Sequence, residues 1–229
     1  MSPKQDLAGP PRPDAAGFVL AGGRSSRMGE DKALVRFAGK PLVERALETL
    51  RQADLEPSIA GARSSVAFQS LKAFAPVVED AEAGLGPLSG ICAALESTDA
   101  RWSVFLAVDL PLLPATLVAF LLNHARITGH AVTLSSVNGF AQSFPAVVDR
   151  AALPALRTAL EAGRGGCFAA FQASCAALNQ SMAILQVESL IQAGQVAHPG
   201  RLIPARWFLN VNQPRDLCRA ETCFTGRIA

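Results

Sequence analysis

Glycines and positively charged residues stand close together near the start of the chain, directly after a short apolar run. The run Phe18–Ala21 leads into Gly22-Gly23, and Arg24, Arg27 and Lys32 follow. Glycine permits tight turns and lets backbone N–H groups approach an anion, and the three cations supply complementary charge. The pattern therefore predicts a loop that binds a polyphosphate, in preference to a solvated surface turn.

The spacing of these residues excludes two common phosphate-binding loops. A P-loop requires Gly-x4-Gly-Lys-Ser/Thr, whereas Lys32 lies three residues after Gly29 and is followed by Ala33. The dinucleotide fingerprint requires Gly-x-Gly-x-x-Gly, but Gly22-Gly23 are adjacent. The predicted loop therefore belongs to a different class of phosphate-binding loop.

Asp109 is a second candidate for chemistry, because it interrupts an apolar run. It lies between Val108 and Leu110, and prolines follow at positions 111 and 114. A carboxylate at the end of a buried strand is costly unless it faces a cleft, is paired or binds a metal. The residues alone also allow a turn-forming aspartate ahead of Pro111.

Further polar residues follow other predicted strands. Asp80 comes after the segment Pro76–Val78, and Gly86-Pro87-Leu88 opens a predicted helix whose N-terminal N–H groups can face an anion. Asn210 and Asn212 share one face of an extended segment, because they are two residues apart. From the residues alone, Asp80 could equally be a turn residue, and the asparagines could form a polar strand edge.

Elements of strand and helix type alternate along the chain and must position these residues. The strand candidates are Phe18–Ala21, Ser58–Ala60, Pro76–Val78, Val104–Val108, Ala131–Ser135 and Phe144–Val148. The helix candidates are Leu42–Leu50 with Pro41 at its first position, Ser65–Phe74, Leu88–Leu95, Thr116–Arg126 and Ala151–Ala162, the last ending at Gly163. This alternation predicts a single three-layer α/β/α, Rossmann-like domain with a mostly parallel central sheet, which binds ligands at the carboxyl ends of its strands.

Composition limits the class of protein. Of 229 residues, 50% are hydrophobic and the formal net charge is +2, which argues against disorder and against nucleic acid or a membrane as the main partner. Residues 1–16 read as a disordered Pro-rich leader without a signal-peptide core, so we expect a domain over 17–229 in the cytoplasm. The five cysteines and three histidines lack metal-ligand spacing, and the cysteines are predicted to be mostly buried hydrophobes.

Five blocks in order carry a resemblance to a known family. They are Leu20-Ala21-Gly22-Gly23-x-Ser25-x-Arg27-Met28-Gly29-x-Asp31-Lys32, then Gly39-Lys40-Pro41-Leu42, then Glu79-Asp80 with Gly86-Pro87-Leu88-Ser89-Gly90, then Asp109-x-Pro111-x-x-Pro114, and finally Asn210-Val211-Asn212-x-Pro214-x-Asp216-Leu217. Together they resemble the nucleotidyltransferases similar to molybdenum cofactor guanylyltransferase. The blocks span roughly residues 17 to 217.

The resemblance implies a role for each candidate residue. Lys32, Arg27 and Asp109 are the implied catalytic residues, the cations on the triphosphate and Asp109 as the ligand of Mg²⁺. The implied nucleotide-binding residues are Leu20, Ala21, Gly22, Gly23, Arg24, Ser25, Gly29, Lys32, Asp80, Gly86, Pro87 and Leu88. Asn210 and Asn212 fall on the side that binds the acceptor.

The implied reaction is the magnesium-dependent transfer of GMP from GTP to the terminal phosphate of molybdenum-molybdopterin, with release of pyrophosphate. Molybdoenzyme apoproteins are further expected partners. Alternatives are transfer of CMP to molybdopterin or of a nucleotide to another phosphorylated acceptor such as a sugar phosphate, since residues 60–63 lack the asparagine often found in guanine-specific relatives. A non-catalytic nucleotide-binding module is a third alternative, against which the joint presence of Lys32 and Asp109 argues.

Overall fold

The computed structural model describes residues 13–21, 31–62, 70–80, 86–163 and 166–225. Most of the predicted leader and the glycine-rich loop at 22–30 lie outside the described residues, as do residues 65–69, the first half of the helix predicted at Ser65–Phe74.

A seven-stranded sheet forms the centre of the molecule. Its strands are β1 (Ala15–Leu20), β4 (Pro57–Ala62), β5 (Val77–Glu79), β6 (Trp102–Ala107), β7 (Val132–Val137), β8 (Phe140–Asp149) and β9 (Ala183–Gln186), and a separate short ribbon pairs β2 (Arg36–Phe37) with β3 (Lys40–Pro41). The order across the sheet is β5-β4-β1-β6-β8-β7-β9. β8 runs antiparallel to β6 and β7, whereas the other neighbouring pairs are parallel. The predicted mostly parallel sheet is confirmed.

Helices cover both faces of this sheet. They are α1 (Leu42–Arg51), α2 (Pro87–Glu96), α3 (Ala115–Thr128), α4 (Leu153–Glu161), α5 (Cys167–Ala177), α6 (Val187–Gln192), α7 (Pro204–Trp207) and α8 (Pro214–Thr225). One core cluster joins Leu47 of α1, Leu121 of α3 and Trp207 of α7, and the other joins Ile91 of α2 and Phe171 of α5. This arrangement is the predicted three-layer α/β/α architecture.

The alternation of side chains along the central strands explains why two cores form. In β1, Val19 packs in the first cluster, whereas Phe18 and Leu20 pack in the second. In β6, Val104 likewise lies opposite Phe105. Successive side chains of a strand point to opposite faces, so a continuous apolar run supplies both layers.

Some predicted boundaries and connections differ from the structure. β1 begins at Ala15, two residues inside the predicted leader, because Ala15 and Ala16 pair with Trp102 and Ser103. Pro41 precedes α1 as its N-cap and does not occupy the first helical position. Residues 180–206, for which the sequence indicates no element, contain β9, α6 and part of α7.

Most of the cysteines are buried, as the sequence predicts. Cys92, Cys167 and Cys175 are buried, and Cys218 is exposed. Burial raises the pKa of the Cys167 thiol to about 11, so this group stays protonated at neutral pH. None of the helices in the described part of the chain combines the length and apolar character needed to cross a membrane.

A contact between two glycines sets the distance between α2 and the sheet. A Cβ atom added at Gly90 would lie 3.0 Å from the Cα atom of Gly61 and 3.2 Å from its nitrogen. Gly61 has a φ of 81° at an irregularity in the pairing of β4 with β5. Because backbone atoms and not flexible side chains stand in the way, a larger residue at position 90 has to displace the helix.

We expect Gly90→Val to lower the free energy of unfolding by about 1–3 kcal/mol, because the added carbons overpack this contact. Chemical denaturation monitored by circular dichroism measures the change. Ala93→Val is the matched control, since it introduces the same β-branched residue at a half-buried position of the same helix. Equal losses in the two variants would contradict the role assigned to the glycine contact.

Candidate active site at the carboxyl ends of β1 and β6

A cavity of about 540 Å³ opens where the strand order of the sheet reverses. Leu20 ends β1 and Ala107 ends β6, and both line the cavity together with Ala21 and Pro87. In the sheet β1 has β4, the next strand of the sheet along the chain, on one side and β6 on the other. Ligands of open α/β sheets bind in such a crevice, which agrees with the position predicted from the sequence.

Lys32 projects into this cavity from a single 3-10 turn, Lys32–Leu34. The Asp31 carboxylate caps that turn, because its Oδ1 accepts a hydrogen bond of 3.0 Å from the backbone nitrogen of Ala33. Lys32 Nζ lies 2.7 Å from Oδ2 of Asp109, and the side chains of this pair are 20% and 21% exposed. The ammonium group is therefore held in place while part of it still faces the cavity.

Asp109 lies just beyond the end of β6, as predicted. Its backbone carbonyl accepts a hydrogen bond of 3.0 Å from the backbone nitrogen of Val211. Its Oδ2 binds Lys32, whereas its Oδ1 is buried and accepts no hydrogen bond from the residues that the structure describes. A buried carboxylate oxygen of this kind needs a partner, and a cation at the cavity would supply one.

Asn210 and Asn212 both line the cavity, as expected from their spacing. They lie on an irregular segment and not on a strand edge. Oδ1 of Asn212 accepts a hydrogen bond of 2.5 Å from Lys32 Nζ. The sequence predicts that Lys32 and Asn212 belong to one site, but only the structure shows that they form a hydrogen bond.

Asp216 fixes the backbone of this asparagine segment. It lies in the first turn of α8, and its Oδ2 accepts hydrogen bonds from the backbone nitrogens of Asn212, at 3.1 Å, and Gln213, at 2.9 Å. An acidic side chain that reaches back to the residues before its helix forms half of a capping box. Asp216 belongs to the last block of the resemblance, which assigns it no role in the site.

The first residues of β8 form a wall of the cavity that the sequence analysis missed. Gln142, Ser143 and Phe144 line the cavity. Because β8 is antiparallel, its amino-terminal residues lie at the edge where the parallel strands end. The signal that could have indicated this is Asn138-Gly139, a favoured hairpin pair, whose residues have φ values of 50° and 80°.

Asp80 lies outside this cavity, beside the start of α2. Its Oδ2 accepts a hydrogen bond of 2.5 Å from the hydroxyl of Ser89, and both residues line a second depression of about 310 Å³. Gly86 is the N-cap of α2 with a φ of 81°, and Leu88 is buried in the core. Of the predicted residues around the start of α2, Pro87 alone is among the described residues that line the main cavity.

Several predicted site residues cannot be compared with the structure. Gly22, Gly23, Arg24, Ser25, Arg27 and Gly29 lie outside the described residues. The described segments on either side, ending at Ala21 and resuming at Asp31, both line the main cavity.

The donor set around Asp109 suits a hard cation that keeps part of its shell for substrate. Within the described ranges, no group of three or more histidine, cysteine, aspartate or glutamate side chains could enclose a metal ion. Mg²⁺ needs no such cage, because it is commonly held by one or two carboxylates together with water and phosphate oxygens. Asp109 with its free Oδ1 fits that requirement.

The three-layer fold and the Lys32–Asp109 pair at its ligand-binding edge fit a nucleotidyltransferase. A family model described as MobA-like NTP transferase domain matches residues 17–177. The chain belongs to this family.

Sequence relatives agree with the assignment to this family. The chain is 36% identical over 155 residues to molybdenum cofactor guanylyltransferase of Pseudomonas putida, which covers 66% of this chain and 79% of the relative. It is 38% identical over 128 residues to a probable molybdenum cofactor guanylyltransferase of Opitutus terrae, covering 55% of this chain and 62% of the relative.

Two structural neighbours show the same fold at low sequence identity. Molybdopterin-guanine dinucleotide biosynthesis protein A from Archaeoglobus fulgidus has a TM-score of 0.73 and 22% identity, covering 92% of this chain and 99% of that one. 2-C-methyl-D-erythritol 4-phosphate cytidylyltransferase from Thermus thermophilus has a TM-score of 0.60 and 18% identity, covering 92% of this chain and 98% of that one.

We expect Asp216→Ala to lower the free energy of unfolding by about 1 kcal/mol, because two backbone N–H groups lose their acceptor. Thermal unfolding measures the change. Arg219→Ala is the control, since Arg219 is exposed on the same helix. If the two variants unfolded at the same temperature, Asp216 would not hold this segment.

Proposed function

We propose that this protein transfers GMP from GTP to the terminal phosphate of molybdenum-molybdopterin and releases pyrophosphate. The family and the names of the Pseudomonas putida and Opitutus terrae relatives support this reaction. The observation that carries the proposal is Lys32, whose ammonium group is held between Asp109 and Asn212 inside a cavity of about 540 Å³.

In this reaction the side chains of the cavity have to position the two phosphate groups and neutralise their negative charge. The attacking phosphate of the acceptor is already an anion, so the reaction needs no strong general base. The attacking and leaving oxygens must be aligned, and the negative charge that develops on the triphosphate must be stabilised. A partly dehydrated ammonium group at the cavity wall does this better than one in bulk water.

Asp109 would hold Mg²⁺ through its Oδ1, the oxygen that binds nothing else among the described residues. The ion would reduce the repulsion between the two phosphate-bearing substrates. Lys32 neutralises the other oxygen of Asp109, and therefore the carboxylate is oriented before any ligand binds.

The two substrates would lie on opposite sides of Lys32. Leu20, Ala21 and Pro87 line the side formed by β1 and α2, which suits the nucleotide together with the predicted glycine-rich loop. Asn210, Gln142 and Ser143 supply amide and hydroxyl groups on the side formed by β8 and the asparagine segment. Such neutral donors suit a phosphorylated heterocyclic acceptor, whose ring and phosphate both form hydrogen bonds.

The direct test measures pyrophosphate release with molybdenum-molybdopterin and each of GTP, CTP, ATP and UTP, with and without Mg²⁺. We expect release with GTP that depends on both acceptor and metal. Release with CTP and not GTP would make the protein a cytidylyltransferase. If no combination releases pyrophosphate but a nucleotide raises the unfolding temperature in a separate thermal-shift measurement, the protein is a binding module.

We expect Lys32→Ala to lower kcat at least tenfold, since the loss of one charged transition-state contact costs about 2.7–4 kcal/mol, or about 10²–10³ in rate. Steady-state pyrophosphate release measures the effect. Lys40→Ala is the matched control, because this exposed lysine pairs with Glu48 and does not line the cavity. A Lys32→Ala rate within twofold of the wild type would contradict the role of Lys32.

A further inference from the structure

Asn212 touches the lysine that would bind the triphosphate. Its Oδ1 accepts a hydrogen bond of 2.5 Å from Lys32 Nζ. We infer that Asn212 is a positioning residue for Lys32 and serves the nucleotide side of the reaction, whereas Asn210 serves the acceptor side. This inference rests on the proposed function, and it separates two asparagines to which the sequence assigns one role.

The number of donors on Lys32 supports this role. A lysine ammonium group has three N–H donors and no acceptor. Asp109 Oδ2 takes one of them at 2.7 Å and Asn212 Oδ1 takes a second at 2.5 Å. Among the described residues nothing takes the third donor, which can therefore bind a phosphate oxygen in a direction set by the other two contacts.

Two fixed acceptors also reduce the cost of ordering the lysine. The side chain of lysine has a flexible four-carbon stem, and its rotamer freedom is lost when the ammonium group binds a ligand. Contacts that already hold Lys32 remove part of this loss before the nucleotide arrives, which strengthens binding. With Asp109 as its single partner, the ammonium group of Lys32 could still rotate about that contact. The second contact, with Asn212, prevents this rotation.

The backbone around Asn212 is held by hydrogen bonds. The backbone nitrogens of Asn212 and Gln213 donate to Asp216, and the backbone nitrogen of Val211 donates to the Asp109 carbonyl. The two acceptors of Lys32 therefore belong to segments that are hydrogen-bonded to each other. The backbone positions from which the two acceptors project are therefore tied to each other.

The amide has an advantage over a carboxylate at position 212. An amide oxygen accepts from the ammonium group without adding a second full negative charge beside Asp109. A carboxylate there would add a negative charge close to the incoming triphosphate and repel it. The residue type at this position therefore fits a site that must hold lysine and admit an anion.

A double-mutant cycle tests the inference without the acceptor. The dissociation constant of GTP in the presence of Mg²⁺ is measured by calorimetry for the wild type, Asn212→Ala, Lys32→Ala and the double variant. We expect Asn212→Ala to weaken GTP binding about tenfold, as for the loss of a hydrogen bond to a charged group. We expect the double variant to bind no more weakly than Lys32→Ala, because Asn212 acts through the lysine.

Two results would overturn the inference: unchanged GTP affinity in Asn212→Ala, or a double variant whose loss equals the product of the two single losses. Gln213→Ala is the control for disturbance of the segment, and it is expected to bind GTP as the wild type does. Thermal unfolding of each variant checks that the fold is intact.

The binding experiment distinguishes a failure of the proposed function from a failure of the positioning role of Asn212. If the wild type binds CTP and not GTP, guanylyl transfer is wrong, and the same cycle measured with CTP decides the role of Asn212. If the wild type binds GTP but Asn212→Ala does so equally well, the role of Asn212 alone is wrong. If no nucleoside triphosphate binds, both are wrong.

Discussion

An ammonium group and a carboxylate lie 2.7 Å apart at the carboxyl edge of the sheet, and the rest of the site depends on this ion pair. Lys32 and Asp109 are 77 residues apart in the chain, and they meet because β1 and β6 are neighbours. Partial burial has two consequences. It strengthens the attraction between the charges, and it leaves enough exposure for an anionic ligand to reach the lysine.

Two elements far apart in the sequence close the cavity around that pair. The antiparallel β8 brings the start of a strand, with Gln142 and Ser143, to the edge where the parallel strands end. The segment before α8 brings Asn210 and Asn212, and a hydrogen bond from Val211 ties it to Asp109. The parallel part of the sheet thus makes the half of the cavity where we propose that the nucleotide binds, and β8 and the C-terminal segment make the other half.

The sequence predicted much of the fold because apolar runs and helical spacing are local signals. The buried strand before Asp109 and the helix after Pro41 were found within a few residues of their bounds. The β7–β8 hairpin was missed as a pairing, although both strands were predicted, because the direction of a strand depends on its partners. The local composition assigns Ala15 to the leader, because it carries no signal of the pairing between Ala15 and Trp102.

The sequence by itself determined the chemical groups: the cations, Asp109 and the two asparagines at positions where motif and spacing mark them. The tertiary structure decided which of these groups touch. In the fold Asn212 binds Lys32, whereas Asp80 binds Ser89 outside the main cavity. Asp31 and Asp216 cap the turn and the helix that carry or adjoin the site residues. The reason is physical. Residue type sets which bonds a side chain can form, but a contact across 180 residues depends on how strands and helices pack.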